Sequence, residues 1–159
     1  MKIETERLII TEFTMDMAEA VHLNSLDEDN RRFVPDEVFE TVEEAADTVG
    51  FLMGVYENGD GPLVYPVLLK DGTYIGYVQA IPFDDGTWEV GYHIGANYTK
   101  KGYATEAVKA FLPIIMPSWG FLKSPVSALR ITRLLSRLWS AAALSRNLKV
   151  SALTRVRNA

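Results

Sequence analysis

Short apolar runs separated by polar turns form the clearest pattern in the chain. Residues 63–69 are nearly all apolar, residues 73–82 follow an Asp71-Gly72 pair, and residues 87–94 alternate between apolar and small or polar side chains. Such alternation indicates a strand with one buried face, and Asp-Gly is typical of a tight hairpin turn. The pattern therefore predicts an antiparallel meander of three strands.

A strand and a helix are predicted in the part of the chain that precedes the meander. The β-rich run at residues 7–13 predicts a first strand, and Thr14 can cap a helix that follows it. The apolar side of this helix is expected to carry Met17, Ala20, Val21 and Leu23. Asn58-Gly59 marks a later turn that leads into the first meander strand.

A longer helix is predicted from a capping box at residues 41–44, in which Thr41 and Glu44 are spaced to satisfy the first free amides. This helix should run to about Tyr56. Its expected buried residues are Ala45, Val49, Leu52 and Met53. A last helix is predicted over residues 105–112. The order of strand, two helices, three strands and helix favours an α+β fold with a central sheet.

The segment from residue 90 to residue 107 carries the candidate chemistry. A strand ends, a loop with a glycine follows, and a helix begins, so several backbone N–H groups and the positive end of a helix dipole point at one place. Gly102 and Ala104 let a ligand approach the backbone closely, and Lys100 and Lys101 add positive charge. The pattern suits a pyrophosphate. A solvated turn before a surface helix remains the alternative on spacing alone.

Two strings in the chain resemble the GNAT superfamily of N-acetyltransferases, and most closely its ribosomal-protein N-acetyltransferase branch. The central motif is similar to EVGYHI at residues 89–94 followed by GYATEA at residues 102–107, and the first strand of the branch is similar to ETERLII at residues 4–10. The resemblance covers roughly residues 3–116. It implies a mostly antiparallel mixed sheet flanked by helices, with acetyl-CoA as the co-substrate.

The resemblance also implies roles for individual residues. The cofactor pyrophosphate would be held by the loop of Thr99, Lys100, Lys101, Gly102, Tyr103, Ala104 and Thr105. The strand edge at His93 and Ile94 would pair with the pantetheine arm, and the amine would approach from the other side of the sheet. Members of the family usually have Gln or Arg in place of Thr99, and often Gly in place of Lys100.

Direct attack on the thioester requires a neutral amine, and a primary alkylamine has a pKa near 10. A base or a water chain must therefore remove a proton. Glu89 is the first candidate because it lies on the strand that would line the cleft, at a position that is often acidic in this branch. His93 shares its face and is the second. A solvent-facing strand carboxylate and a structural histidine are the alternatives.

Composition narrows the other possibilities. The chain has no cysteine and only two histidines, His22 and His93, so no metal site is expected. No apolar run approaches 18 residues and the first residues lack the apolar core of a signal peptide. We therefore expect a cytoplasmic protein that binds neither membrane nor nucleic acid. The family resemblance implies that its substrate is a small-molecule or peptide amine. A homodimer is an open alternative.

Charge divides the chain into two unequal parts. All 21 acidic residues lie at or before Glu106, where 7 Lys and Arg leave a net charge of −14, whereas residues 107–159 carry 9 basic residues and no acid. We therefore separate an acetyl-CoA-binding core at residues 1–117 from an atypical basic segment at residues 118–159. A shifted reading frame near codon 117 would restore the family's usual C-terminal motif within codon degeneracy. The alternative is a basic amphipathic helix.

These features leave three functional hypotheses. The first is an acetyl-CoA-dependent transferase acting on a primary amine. The second is a non-catalytic or degenerate acyl-CoA-binding or interaction module. The third is an adaptor whose basic tail binds anionic surfaces, in which case binding should depend strongly on salt.

Overall fold

A sheet whose neighbouring strands follow one another in the chain forms the centre of the protein. The computed structural model describes residues 1–33, 35–84, 88–115 and 150–152 of the 159 residues. In this part, every strand pair is antiparallel. The strands are β1 (Ile3–Glu4), β2 (Leu8–Ile10), β3 (Leu63–Leu69), β4 (Tyr74–Pro82), β5 (Trp88–Ile94) and β6 (Val150–Ala152). The predicted α+β class with a mostly antiparallel sheet is confirmed.

Four α-helices flank this sheet in the described part of the chain. They are α1 (Ala18–Ser25), α2 (Glu28–Phe33), α3 (Val42–Asn58) and α4 (Tyr103–Ile115). Short 3-10 turns lie at Met15–Met17, Pro35–Glu37 and Ala96–Tyr98. Sequence analysis anticipated α1, α3 and α4 but gave no signal for α2.

The start of α3 follows its capping sequence. The Thr41 side chain accepts a hydrogen bond of 3.2 Å from the Glu44 N–H, and the Glu44 carboxylate accepts one of 2.8 Å from the Glu40 N–H. The helix ends at Gly59, whose φ of 75° lies in the left-handed region that glycine tolerates. Of the residues expected inside α3, Ala45, Val49 and Leu52 are buried, whereas Met53 is half-buried and Val55 is buried instead.

The sheet separates two hydrophobic clusters. The larger lies between the sheet and α4, and it includes Leu8, Ile10, Val78, Val90, Ile94 and Phe111. The smaller lies on the α1 and α3 side, and it includes Phe13, Val21, Ala45, Val49, Leu52 and Val64. Because successive side chains of a strand point to opposite faces, Val90, Tyr92 and Ile94 of β5 pack toward α4. This confirms the predicted division of the faces of β5, and it turns His93 toward α1 and α3.

Close backbone contact fixes the register between β4 and β5. Gly76 lies opposite Ile94, has a φ of 154°, and would place a Cβ atom 1.9 Å from the His93 carbonyl oxygen. A side chain at this position would therefore push the strands apart. The absence of a Cβ at Gly76 lets Tyr77 pair directly with His93.

Two expectations for the first elements need correction. The strand predicted at residues 7–13 is β2, which comprises only Leu8–Ile10, so residues 11–13 lie outside it, although Phe13 is buried in the smaller cluster. Leu23 was expected on the apolar side of α1, but it is 62% exposed. Val21 and Ala18 supply the buried contacts of this short helix, because only one narrow face of it meets the sheet.

Most of the basic segment predicted at residues 118–159, and its boundary at residue 117, lies outside the described residues. From that segment the structure describes only β6, which pairs with the beginning of β5 through Trp88, Glu89 and Val90. Residues 85–87, between β4 and β5, lie outside the described residues as well.

Candidate functional site

A cleft opens between the sheet and the helices α1 to α3. Its cavity has a volume of about 220 Å³. The lining is mainly apolar and aromatic, with a few polar groups. The residues that line it are Phe13, Val21, Asn24, Ser25, Asn30, Glu37, Phe39, Thr48, Val49, Phe51, Leu52, Pro62, Val64, Tyr74, Tyr77, Gln79 and His93.

One end of the cavity carries a polar group of three side chains. The Tyr77 hydroxyl donates a hydrogen bond to Glu37 Oε2, and the Tyr77 ring lies 5.6 Å from the His93 ring. Burial first, and then the negative charge of Glu37, raise the pKa of Tyr77 far above its ordinary value. Tyr77 is therefore a neutral donor at physiological pH, and it orients the carboxylate of Glu37.

Asn30 extends this polar end from α2. Its Nδ2 donates to the backbone carbonyls of Asn24 and Ser25, each at 3.2 Å, and lies 3.4 Å from His93 Nε2. The residue is only 3% exposed, and its Oδ1 has no hydrogen-bond partner in the described part of the protein. A buried acceptor without a donor is costly, so this oxygen is suited to a donor from a ligand or a water molecule.

The structure separates the two proton acceptors that the sequence suggested. His93 is buried and lines the cavity. Glu89 lies on the same face of β5, opposite Ile81, but it is half-buried and does not line the cavity. Four residues separate them, which corresponds to roughly 14 Å along a strand. Of these two residues, His93 is therefore the one that lines the cavity.

Two residues of the loop that leads into α4 have a left-handed backbone conformation. Lys100 has a φ of 62° and Gly102 a φ of 82°. The Thr99 hydroxyl donates to the Ala96 carbonyl oxygen at 3.0 Å, which closes the preceding turn. Lys100 and Lys101 are both exposed, so their charges are accessible to an anion.

The first turn of α4 presents free backbone amides. The Glu106 N–H donates to the Gly102 carbonyl oxygen at 3.1 Å, which makes Gly102 the residue before the helix. The N–H groups of Tyr103, Ala104 and Thr105 therefore have no partner within the helix. Together with the positive end of the helix dipole they form an anion site of the kind that holds phosphate groups.

Arg7 and Glu106 tie this loop to β2. Arg7 Nε donates to Glu106 Oε2 at 2.7 Å, the Thr5 hydroxyl donates to Oε1 at 2.6 Å, and Arg7 Nη1 donates to the Lys101 carbonyl oxygen at 2.9 Å. The Arg7 guanidinium also lies 4.6 Å from the centre of the Tyr103 ring. Burial alone would raise the pKa of Glu106, but the hydrogen bonds from Thr5 and Arg7 and the charge of Arg7 outweigh it and lower the pKa.

Within the part of the chain that the structure describes, the far edge of β5 is uncovered beyond its first residues. The Gly95 N–H donates to the Ile75 carbonyl oxygen at 2.8 Å. By the alternation of an antiparallel ladder, the backbone groups of His93 point toward β4, whereas those of Ile94 point toward the far edge. In the described residues β6 covers only positions 88–90 of that edge. Ile94 can therefore pair with an extended ligand, and His93 contributes its side chain to the opposite face.

Several residues of the site escaped the sequence analysis. Glu37, Tyr77 and Asn30 come from three separate elements, and nothing in their spacing predicts that they meet. Arg7 and Glu106 belong to the two strings that carry the family resemblance, and that shared membership was the one signal that pointed to their pairing. In the described residues no group of acidic or histidine side chains could hold a metal ion. In the same ranges, no helix has the length and apolar character needed to cross a bilayer.

An anion site at a helix N-terminus, a strand edge that the described residues leave uncovered and a cavity on the other face of the sheet suit a protein that binds a phosphate-bearing ligand and a second, smaller one. The comparison of families agrees. Residues 7–148 match the family described as the acetyltransferase (GNAT) domain, and the chain belongs to this family.

Relatives and solved structures support the same assignment. The chain is 35% identical over 114 residues to the uncharacterized N-acetyltransferase YnaD of Bacillus subtilis (strain 168), and the alignment covers 70% of this chain and 64% of that protein. The chain therefore spans somewhat less than two thirds of this relative.

Among solved structures, a GNAT-family acetyltransferase from Bacillus anthracis is 32% identical, with a TM-score of 0.62 over 74% of this chain and 68% of the other. The ribosomal L7/L12 α-N-protein acetyltransferase RimL, solved in complex with coenzyme A, is 14% identical, with a TM-score of 0.61 over 72% and 67% of the two chains. The latter similarity establishes the fold.

Proposed function

We propose that the protein is an N-acetyltransferase that moves an acetyl group from acetyl-CoA to a primary amine. The observation that carries the proposal is the position of β5 between two sites. On one side no described strand covers the edge at Ile94, and the amide-bearing start of α4 follows in the chain; on the other side the side chain of His93 lines the cavity. Two substrates bound at these sites would meet across a single strand.

The residues of the first site fit the cofactor. The amides of Tyr103, Ala104 and Thr105 would hold the pyrophosphate, with the charges of Lys100 and Lys101 beside them. The left-handed backbone at Lys100 and Gly102 turns the loop toward the helix start. Ile94 would pair with the amides of the pantetheine arm as an added strand would.

When bound, acetyl-CoA supplies a thioester carbonyl carbon that accepts the amine nitrogen, and CoA leaves as the thiol. The protein has to hold the amine and take up its proton. We assign the proton acceptor to His93, because it lines the cavity and because its ring lies beside Tyr77. Glu89 remains the second candidate. Through a chain of water molecules it would serve the same purpose from outside the cavity.

Single variants test the assignment. We expect His93→Gln to reduce kcat about 100-fold, which is the size of a lost general base, with little change in the KM for acetyl-CoA. We expect Glu89→Gln to leave kcat within about threefold of the unaltered protein. The measurement is the release of CoA thiol with a panel of primary amines. The sequence has no cysteine, so the chain itself adds no thiol signal.

The opposite ranking of the two variants would move the proton acceptor to Glu89. If acetyl-CoA binds, as judged by calorimetry, but no amine in the panel releases CoA, the protein is a non-catalytic acyl-CoA-binding module instead. Failure to bind acetyl-CoA at all would contradict the proposal.

A further inference from the structure

We infer that the amine accepted by this protein is small, cationic and apolar in its body, of the arylalkylamine type, and that Glu37 binds its ammonium group. This inference rests on the proposed function, since it treats the cavity as the acceptor site. It adds the chemical class of the substrate. Three independent properties of the cavity support this class.

The first property is size. A cavity of about 150 Å³ lined by apolar side chains is known to hold a benzene molecule. The 220 Å³ available here therefore suffices for one ring and a short aminoalkyl arm. It lies below the range of roughly 300–1,000 Å³ that is usual for sites of drug-sized ligands. A peptide acceptor would have to leave most of its residues outside this volume.

The second property is the character of the walls. The body of the cavity is formed by residues of the smaller hydrophobic cluster, including Phe13, Val49, Leu52 and Val64, together with the rings of Phe39 and Tyr74. Such walls favour an aromatic or branched aliphatic group through burial of apolar area and ring contacts. A polyamine, which carries a charge every few atoms, would have to leave an ammonium group against these walls without a partner.

The third property is the charge of the polar end. Of the described residues that line the cavity, Glu37 is the only one with a carboxylate, and none is Lys or Arg. Tyr77 donates to Glu37 Oε2, which leaves Oε1 for another donor. Asn30 Oδ1 is a buried acceptor without a donor on the same wall. Two acceptors without matching donors are what a bound ammonium group requires, because it carries three N–H donors and no acceptor.

These three properties also give the amine an orientation. The acceptor end lies beside His93 on β5, and the apolar end lies against α3 and β3. An arylalkylamine bound in this way has its nitrogen next to the strand that would carry the thioester. Its ring then lies against the apolar walls of the cavity.

The test compares amines and two matched variants of the full-length protein. Phenethylamine, spermidine and a hexapeptide with a free N-terminal serine are compared by kcat/KM for CoA release. We expect phenethylamine to exceed each of the other two by at least tenfold. In Glu37→Gln we expect the KM for phenethylamine to rise about tenfold or more, as for the loss of a charged hydrogen bond, with the KM for acetyl-CoA unchanged.

Asp36→Asn is the matched control. Asp36 lies on the same 3-10 turn, is exposed and does not line the cavity. The variant therefore loses the same charge as Glu37→Gln, but its kcat and KM should equal those of the unaltered protein. A preference for the peptide or for spermidine would overturn the inference and leave the acetyltransferase activity standing. An equal rise in KM in both variants would also overturn it, because it would indicate a general effect of charge.

Calorimetry with phenethylamine separates this inference from the proposed function. If no amine supports CoA release, binding of phenethylamine that is weakened by Glu37→Gln and not by Asp36→Asn would still establish the amine site. Absence of binding to the unaltered protein would overturn the inference directly.

Discussion

At the scale of single residues, the backbone angle of Lys100 explains why glycine is often found at this position in the family. The families that this chain resembles often have Gly where it has Lys100, and the structure gives Lys100 a φ of 62°. A left-handed conformation costs a residue with a Cβ atom roughly 1–2 kcal/mol, whereas glycine adopts it freely. Lys100 therefore carries backbone strain, and its exposed charge lies beside the candidate anion site.

A pair of variants separates the strain from the charge. Lys100→Gly and Lys101→Gly each remove one lysine, but Lys101 is not in the left-handed region. We expect Lys100→Gly to leave the free energy of unfolding unchanged or to raise it by up to about 1 kcal/mol. Lys101→Gly should lower it by about 0.5–1 kcal/mol. Urea denaturation measures both values, and equal losses in the two variants would contradict the strain at Lys100.

The sequence predicted the chemical role of some site residues but could not rank others. The loop from Thr99 to Thr105 was predicted as an anion site, and the structure gives it the free amides that such a site needs. The ranking of Glu89 above His93 could not be judged from sequence, because both lie on one face of β5. Only the position of α1 to α3 decides which of them meets a cavity, and that position depends on tertiary packing.

At the scale of elements, the tie between β2 and α4 should make stability depend on pH. The pKa of Glu106 is lower in the folded protein than its ordinary value of 4.5. The unfolded chain therefore takes up this proton first as the pH falls. The contribution of Glu106 to stability is fully present above pH 4.5 and is lost as the pH falls through the lower folded-state pKa.

We expect Glu106→Gln to lower the free energy of unfolding at pH 7 by on the order of 1 kcal/mol, because charged hydrogen bonds from Arg7 and Thr5 are lost. The difference from the unaltered protein should shrink below pH 4.5. Thermal unfolding across this pH range measures it. Glu43→Gln is the control, since Glu43 is an exposed carboxylate in the first turn of α3. A deficit that is independent of pH would contradict the assignment.

The elements themselves were predicted well where periodicity is strong. Both ends of β3 and the capped start of α3 match the expectation, because alternation and the capping box are local signals. The helix α2 was missed because its six residues, EDNRRF, have no apolar repeat. This miss had a consequence for the site, since Asn30 of α2 and Glu37 of the next turn form the polar end of the cavity.

At the scale of the whole molecule, the uneven distribution of charge along the chain leads to a prediction about the reading frame of the gene. If a shifted frame near codon 117 produced the acid-free segment, protein made from the natural gene will have a mass different from 17.8 kDa and will contain reactive thiols. Intact mass spectrometry and thiol titration test this. A mass of 17.8 kDa without thiols would contradict the frame hypothesis and favour a basic segment with a binding role.

The two hydrophobic clusters on opposite faces of the sheet give the molecule a division of labour. The helix that begins at the anion site is anchored in one cluster, and the walls of the cavity belong to the other. Under the proposed function, substitutions in the cluster on the α1–α3 side would change the acceptor cavity without altering the residues that pack α4 against the sheet. For protein engineering, new acceptor specificities would then be selected on that side for the same acyl donor.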